Sequence, residues 1–324
     1  MPKIRASCSS RRSRRSNSFC KFLAFIHNNP PRQVSLLKRV SYRELDRATD
    51  GFRRIITCDS QSITYEAKFR DGSVSVVKEV RSVDQGNEVF DKELHLLGRL
   101  HHRHVVALRG YSVGRKSFLV FECTAKGSLK DHLNDPLKTP LSWKTRVQIA
   151  IGVAAALEYL QFFCEPPVKH ISISSSNIIL DEKLVPKVRT LTMINSAPNT
   201  HYVRLSEISV VSLTQLSNIG CLCSEERAYV IPQFGALLLE LITGESSPKE
   251  SADVIQWIRE LRSNLSMHNI IDPDLGNSYN FKELRDLLSV ARLCIKVENT
   301  QLTQAFTISH IFWYLQKRFG NASN

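Results

Sequence analysis

The sequence lacks several features that would place the chain in a simple class. It has no run of about 18–20 apolar residues, so no segment is predicted to span a membrane. Its eight cysteines show no paired CxxC spacing, and the CxC formed by Cys221 and Cys223 has no companion His or Cys cluster. This pattern argues against zinc and indicates the reduced thiols of an intracellular protein. A secretory signal with a small-residue cleavage site is also missing.

Acidic residues are absent from residues 1–40, which carry ten Lys or Arg. The formal net charge of the whole chain is +13, so the remaining residues account for only +3. A nearly balanced main domain offers no electrostatic support for nucleic-acid binding, and no nucleic-acid partner is expected.

Residues 1–40 are rich in Ser and Arg and then interrupted by Pro, a composition that predicts a disordered basic arm. Three functions remain open for it: attraction to an anionic plasma-membrane surface, a nuclear address, or an organelle transit peptide. Pro2 excludes N-myristoylation, which requires Gly at that position. The residues behind the membrane alternative are the cations Arg11, Arg12, Arg14 and Arg15, with Cys8 or Cys20 acylated as a second anchor.

From residue 41 onwards, strand patterns come first and helix patterns follow. Two β-rich runs joined by the turn residues RDG predict a hairpin, SITYEAKF with SVSVVKEV. Helical spacing of apolar residues follows in EVFDKELHLLGRL. Later helices include SWKTRVQIAIGVAAALEYL, with Ser142 as N-cap, and FGALLLELITG, closed by Gly244. The order predicts an α+β fold.

A series of motifs in fixed order makes the resemblance specific. They are SYRELDRATDGF, LGRLHHRHVVALRGYS, LVFECTAKGSLKDHL, LSWKTRVQIAIGVAAALEYL, CEPPVKH, NIILDE, FGALLLELITG and IIDPDL. Over residues 41–318 the chain closely resembles the plant receptor-like kinases, of the receptor-like cytoplasmic kinase type. The resemblance implies a bilobal protein-kinase fold, with a β-rich N-lobe over 41–124, a helical C-lobe over 125–324 and a nucleotide cleft between them.

The resemblance also assigns the residues of the nucleotide cleft. Lys78 matches the strand lysine that holds the α- and β-phosphates, and Glu93 matches its helix partner. Phe121 falls at the gatekeeper position, and Glu122 and Cys123 follow in the hinge, where backbone groups would meet an adenine.

Three glycines of the phosphate-covering loop are replaced in this sequence. Thr57, Asp59 and Ser62 stand where the family has Gly, which is needed there so that backbone can approach phosphate closely. The replacement predicts an ordinary hairpin tip rather than a phosphate cradle.

The catalytic positions are exchanged as well. In the stretch KHISISSSNIIL, Ile171 and Ser172 replace the Arg and Asp of H-R-D, and Ser174 replaces the lysine that supports the γ-phosphate. A neutral serine hydroxyl cannot serve as the carboxylate that orients the substrate proton. Thr190 replaces the metal-binding Asp of D-F-G, so Mg²⁺ would lack its charged oxygen ligand. Asn177 alone persists, as a remnant of the metal site or as a turn residue.

Structural motifs of the substrate side have changed too. The A-P-E position reads Cys223, Ser224 and Glu225, and Val230 stands where an aspartate usually precedes the Phe-Gly pair. The sequence therefore predicts an inactive pseudokinase that acts as a signalling scaffold or allosteric partner of an active kinase or receptor. ATP binding without Mg²⁺-dependent chemistry stays open.

An alternative reading keeps catalysis. It is an atypical Ser/Thr kinase with residual activity, supported by Lys78, Glu93 and Asn177. For either function, the expected location is cytoplasmic, with peripheral attachment to the plasma membrane through the arm as the main alternative.

Overall fold

The structure is a computed structural model, and it describes residues 37–58, 62–80, 86–123, 126–165, 168, 171–190, 230–245, 271–296 and 307–320. Most of the predicted arm and the segment 193–219 lie outside these ranges. None of the helices in the described part of the chain combines the length and apolarity that a membrane span requires.

The N-lobe is built on a six-stranded sheet in the order β1-β5-β6-β4-β3-β2. The predicted hairpin is confirmed, since β3 and β4 pair in antiparallel register through a turn in which Asp71 accepts hydrogen bonds from Ser73 and Gly72 has φ of +83°. The strands are β1 (Lys38–Arg39), β2 (Ile55–Cys58), β3 (Ser62–Lys68), β4 (Val74–Val80), β5 (Leu108–Ser112) and β6 (Ser117–Glu122). Two helices accompany them, α1 (Tyr42–Ala48) and α2 (Gly86–Leu97).

The first strand lies inside the stretch that the sequence assigns to the arm. β1 forms the edge of the sheet and pairs in parallel with β5, and the backbone N–H of Val40 donates to the Tyr111 carbonyl oxygen over 2.8 Å. Gly110 permits this approach, because a Cβ there would lie 2.4 Å from the Lys38 carbonyl oxygen. Val40 is buried. Residues 38–40 thus pack with the N-lobe sheet.

Strand alternation gives the sheet two different faces. Val77 points to a small core under α1 that also contains Leu45, Tyr65 and Phe118. Val80 lies on the opposite face and belongs to the main core, which continues into α2 and the C-lobe. The motif SYRELDRATDGF, which contains α1, therefore packs on the outer face of the sheet.

The C-lobe is mainly helical, as the sequence predicts. Ser142 caps α4 by accepting a hydrogen bond from the Thr145 N–H, and Gly244 follows α5 with φ of +74°. Helix α4 continues into a wider π turn over Tyr159–Phe163. The described elements are α3 (Leu129–Asn134), α4 (Trp143–Glu158), the hairpin β7 (Ile178–Leu180) and β8 (Pro186–Val188), α5 (Val230–Thr243), α6 (Phe281–Lys296) and α7 (Ile308–Phe319).

A buried ion pair ties the C-lobe helices together. The Arg146 guanidinium, on α4, donates to the Asp272 carboxylate over 2.5 Å and to the carbonyl oxygens of Leu141 and Leu241. Both charged side chains are nearly inaccessible to solvent. This network fixes the IIDPDL motif against the end of α5, since a buried arginine must satisfy its donors within the protein.

Candidate nucleotide cleft

The sheet register places Lys78 on the face of β4 that is turned toward the C-lobe. It lies opposite Thr64 on β3 and Leu119 on β6, and its side chain is half-buried. Val80, two residues on and therefore on the same face, packs in the main core. Glu93 is buried on α2, which contributes Phe90 to the same core. Lys78 and Glu93 thus lie on the same side of the sheet.

The hinge residues end strand β6. Phe121 is partly buried and packs against the main core, while Cys123 is exposed. Desolvation, and after it the charge of Glu66, raise the pKa of the Cys123 thiol. Cys123 is therefore a neutral thiol at physiological pH rather than a reactive thiolate.

Glu122 has a role that the sequence did not reveal. Its carboxylate accepts hydrogen bonds from Lys187 Nζ over 2.8 Å, from Arg109 over 3.2 Å and from the Ala107 backbone N–H over 2.9 Å. Lys187 belongs to β8 of the C-lobe and Arg109 to β5 of the N-lobe. The Glu122 carboxylate is therefore committed to a bond between the lobes. Its backbone N–H donates to the Ala107 carbonyl oxygen over 3.0 Å, so only its own carbonyl oxygen could serve a nucleotide.

The structure describes the loop that carries the catalytic positions from residue 171 onwards. Ile171 and Ile173 are buried in the main core, whereas Ser172 and Ser174 are half-buried. The Ser174 hydroxyl lies 2.9 Å from the hydroxyl of Ser176. Where the resemblance implies a cation and a carboxylate, the loop holds an apolar anchor and neutral hydroxyl groups.

Gln233 on α5 is a loop-positioning residue that sequence reasoning missed. Its side-chain Oε1 accepts a hydrogen bond from the Ile173 backbone N–H over 2.8 Å. It lies three residues after Val230, where the aspartate expected before the Phe-Gly pair is missing. Residues three apart lie on the same side of a helix. A polar residue three positions after the missing aspartate is therefore the signal by which the sequence could have identified Gln233.

Asn177 and Thr190 are close together through the backbone. A 3₁₀ turn over Ser175–Asn177 leads into β7, and the Asn177 carbonyl oxygen accepts from the Arg189 N–H over 2.8 Å. Thr190 follows directly and is buried. The structure therefore brings the two positions together, on either side of the β7–β8 hairpin.

The donor set at these positions does not fit a divalent cation. It consists of one amide side chain and one buried hydroxyl, whereas Mg²⁺ prefers charged carboxylate oxygens. Arg189 adds a positive charge next to Thr190. Asp181 offers no replacement carboxylate, because its Oδ1 accepts from the N–H groups of Lys183 and Val185 and holds the β7–β8 turn.

The remaining candidates are divided between described and undescribed positions. Thr57 lies on exposed β2 and Ser62 begins β3, where it is buried. Several predicted positions lie outside the described residues: Asp59 and the A-P-E equivalents Cys223, Ser224 and Glu225. The same holds for Thr124, which follows Cys123 in the hinge, for His170, the histidine of the H-R-D position, and for Leu191 and Thr192, which follow Thr190 at the D-F-G position.

A protein-family profile described as protein tyrosine and serine/threonine kinase matches residues 61–273, which is more than half of the chain. The chain belongs to the protein kinase family. The match begins at the phosphate-loop position next to Ser62 and ends in the IIDPDL motif, so it includes both sides of the cleft.

Relatives of this kinase-family chain include receptor-like kinases and a probable serine/threonine-protein kinase of Arabidopsis thaliana. A probable receptor-like protein kinase is 35% identical over 285 residues, which cover 82% of this chain and 41% of the relative. The probable serine/threonine-protein kinase PBL26 is 33% identical, covering 80% and 66%. Calcium/calmodulin-regulated receptor-like kinase 1 is also 33% identical, covering 79% and 58%. The chain thus spans less than two thirds of the length of each.

Solved structures with the same fold include pseudokinases. The pseudokinase domain of BIR2, an immune regulator of the RLK/Pelle family, has a TM-score of 0.68 at 22% identity and covers 87% of this chain and 86% of its own. The pseudokinase DRIK1, drought responsive inactive kinase 1, bound to ENMD-2076, has a TM-score of 0.69 at 20% identity, covering 89% and 98%. The predicted bilobal α+β kinase fold is confirmed.

Proposed function

We propose that the chain is a pseudokinase, which binds other signalling proteins and does not transfer phosphate. The observation that carries the proposal is the chemistry of the cleft. Ser172, Ser174 and Thr190 are neutral where catalysis needs a carboxylate, a cation and a metal-binding carboxylate. Loss of a general base alone typically costs a factor of about 10²–10⁴ in rate. Losses within one catalytic unit are not additive, but no described side chain replaces the missing groups.

The scaffold role is supported by what the chain keeps. Both lobes have continuous cores, Glu122 connects them, and Gln233 holds the altered loop in place. An ordered but chemically neutral cleft suits a protein whose conformation, rather than turnover, is sensed by a partner. An active kinase or receptor is the partner class that we propose, since these relatives share the same signalling family.

Nucleotide binding belongs to the same proposal in a limited form. Lys78 and the hinge backbone would contact ATP, and no metal ion would take part, because the residues at the metal position do not fit one. DRIK1, bound to ENMD-2076, illustrates that a small molecule can be held by an inactive kinase of this fold.

Location remains part of the proposal as well. We expect a cytoplasmic protein whose basic arm contacts the plasma membrane, with a nuclear or organelle address as the alternatives. Deletion of residues 1–36 in a fluorescent fusion tests the arm and leaves β1 intact. Unchanged localisation of the shortened protein would remove all three functions of the arm.

A phosphotransfer assay tests the central function. Purified full-length protein, Lys78→Ala and the double variant Ser172→Asp/Thr190→Asp would be incubated with ATP, Mg²⁺ or Mn²⁺, and a generic Ser/Thr substrate. We expect wild type and Lys78→Ala to be indistinguishable. Metal-dependent transfer that Lys78→Ala abolishes would favour the atypical kinase instead. That alternative is supported by the kinase relatives and by the placement of Lys78 and Glu93 on one side of the sheet.

A further inference from the structure

The outer surface of α6 and α7 combines aromatic and basic side chains. On α7, Ile308, Ile311, Leu315 and Phe319 are buried against the rest of the C-lobe. The opposite side of the helix presents Trp313, which is 60% exposed, and Tyr314, which is 39% exposed. Such large aromatic rings in water are costly unless something covers them.

Cations surround these rings. Lys317 Nζ lies 4.7 Å from the centre of the Trp313 ring, one helical turn away. Arg318 donates from Nε to the Asp286 carboxylate on α6 over 2.5 Å, which links the two helices. Leu293 on α6 is also exposed, by 53%. We call Leu293, Trp313, Tyr314, Lys317 and Arg318 the α6–α7 surface.

The charge balance of the two helices is positive. Together they contain six Lys or Arg and two acids. Both acids are already engaged, Asp286 with Arg318 and Glu283 with the Trp143 indole N–H over 2.8 Å. The two helices that carry the surface therefore have a formal net charge of +4, six cations less two acids, which favours an anionic occupant.

We propose that the α6–α7 surface binds an anionic lipid bilayer. Trp and Tyr prefer the boundary between headgroups and acyl chains, where their rings are apolar and their N–H and O–H groups stay hydrated. Lys and Arg beside them reach the lipid phosphates while their alkyl stems cover apolar surface. Lysine is depleted from protein–protein interfaces, so a bilayer explains this composition better than a protein partner does. This second contact is distinct from the arm, and it would fix the orientation of the C-lobe at the membrane.

Vesicle binding by the full-length chain tests the proposal. The vesicles contain phosphatidylcholine alone or with about 30% phosphatidylserine. We expect wild type to bind the phosphatidylserine vesicles selectively. Trp313→Ala/Tyr314→Ala and Lys317→Glu should each weaken binding by about tenfold or more, because they remove the inserted rings or reverse a contacting charge. Leu137→Ala, at a 94% exposed position on the α3–α4 loop, is the matched control and should bind like wild type.

The arm is present in every variant, so it cannot produce these differences. Thermal unfolding checks that each variant is folded. The fluorescence of Trp313 is obtained as the difference between wild type and Trp313→Phe, and its quenching by brominated acyl chains shows that the ring is inserted into the bilayer. Equal binding by wild type and both α7 variants would overturn the proposal. So would selective binding in which Trp313 is not quenched, or equal binding to vesicles with and without phosphatidylserine.

Discussion

The role of Glu122 is determined by residues that are distant in the sequence and close in the fold. From the sequence it is a hinge residue, valued for its backbone. In the structure its side chain joins Arg109 of the N-lobe to Lys187 of the C-lobe, with little exposure of either Glu122 or Lys187. The partners are 13 and 65 residues away in the chain, so no local pattern could have predicted the arrangement.

Replacing Glu122 by Gln should lower the free energy of unfolding by about 1–3 kcal/mol, because it leaves a buried cation without its counter-charge. The reason lies in Lys187, whose side chain is only 17% exposed. Chemical denaturation measures the loss. Glu44→Gln, which breaks the exposed Lys38–Glu44 pair, is the control and should cost at most about 1 kcal/mol. Equal losses in the two variants would contradict a special role for Glu122.

His104 should make stability depend on pH. Its Nδ1 lies 2.9 Å from the Pro186 carbonyl oxygen. Burial lowers the pKa of His104 most, and this outweighs the hydrogen bond to Pro186, which raises it; Arg103 and Lys187 lower it further. The folded state therefore holds a neutral ring that the unfolded state protonates near pH 6.5. Stability is fully present above that pH and is lost as pH falls from about 6.5 toward the lowered folded-state pKa.

Denaturation of the variant His104→Gln at several pH values tests this sign. Glutamine cannot titrate, so the decline in stability from about pH 7 to 5 should be shallower than in wild type. The exposed His101, changed to Gln, serves as the control and should keep the wild-type slope. A steeper decline in the His104 variant would show that the sign is wrong.

At the scale of elements, the packing of α4 against the β7–β8 hairpin depends on one glycine. A Cβ on Gly152 would lie 2.6 Å from Pro186 Cγ and 2.9 Å from the His104 ring. Because β8 leads directly to Thr190, this contact helps to set the position of the altered metal motif.

Gly152→Ala should therefore be destabilising by about 1–3 kcal/mol through overpacking. Helix propensity alone predicts the opposite, a gain of about 1 kcal/mol for this change. Thermal unfolding decides between the two signs. Ser289→Ala, on the exposed side of α6, is the control for propensity without crowding, and it should change stability by less than about 0.5 kcal/mol. A higher melting temperature for Gly152→Ala would contradict the close approach.

Elements with strong local signals were predictable from the sequence, and those that depend on distant partners were not. The hairpin of β3 and β4 and the cap at Ser142 follow from turn and capping chemistry. Strand β1 has no such signal, because two basic residues become a strand only through pairing with β5 and through the space left by Gly110. Residues 38–40, which the sequence assigns to the arm, therefore pair with the N-lobe sheet.

For the whole molecule, the order of lobes and the identity of the altered positions were readable from the motif series. The site was predicted as a set of residues, and the structure adds their relations: Lys78 and Glu93 on one side of the sheet, and Asn177 beside Arg189 and Thr190. The support from Gln233 and Glu122 needed the fold, since each acts across an element boundary.

The pseudokinase proposal depends above all on the lack of ligands for a metal–phosphate complex in the described part of the cleft. Thermal unfolding of the full-length chain with ATP, with and without Mg²⁺, tests this lack. Ligand at about 100 times its dissociation constant would add roughly 2.7 kcal/mol, a rise of several degrees. We expect Mg²⁺ to add nothing to whatever shift ATP produces. A shift that requires Mg²⁺ and is lost in Lys78→Ala and in Asn177→Ala would contradict it.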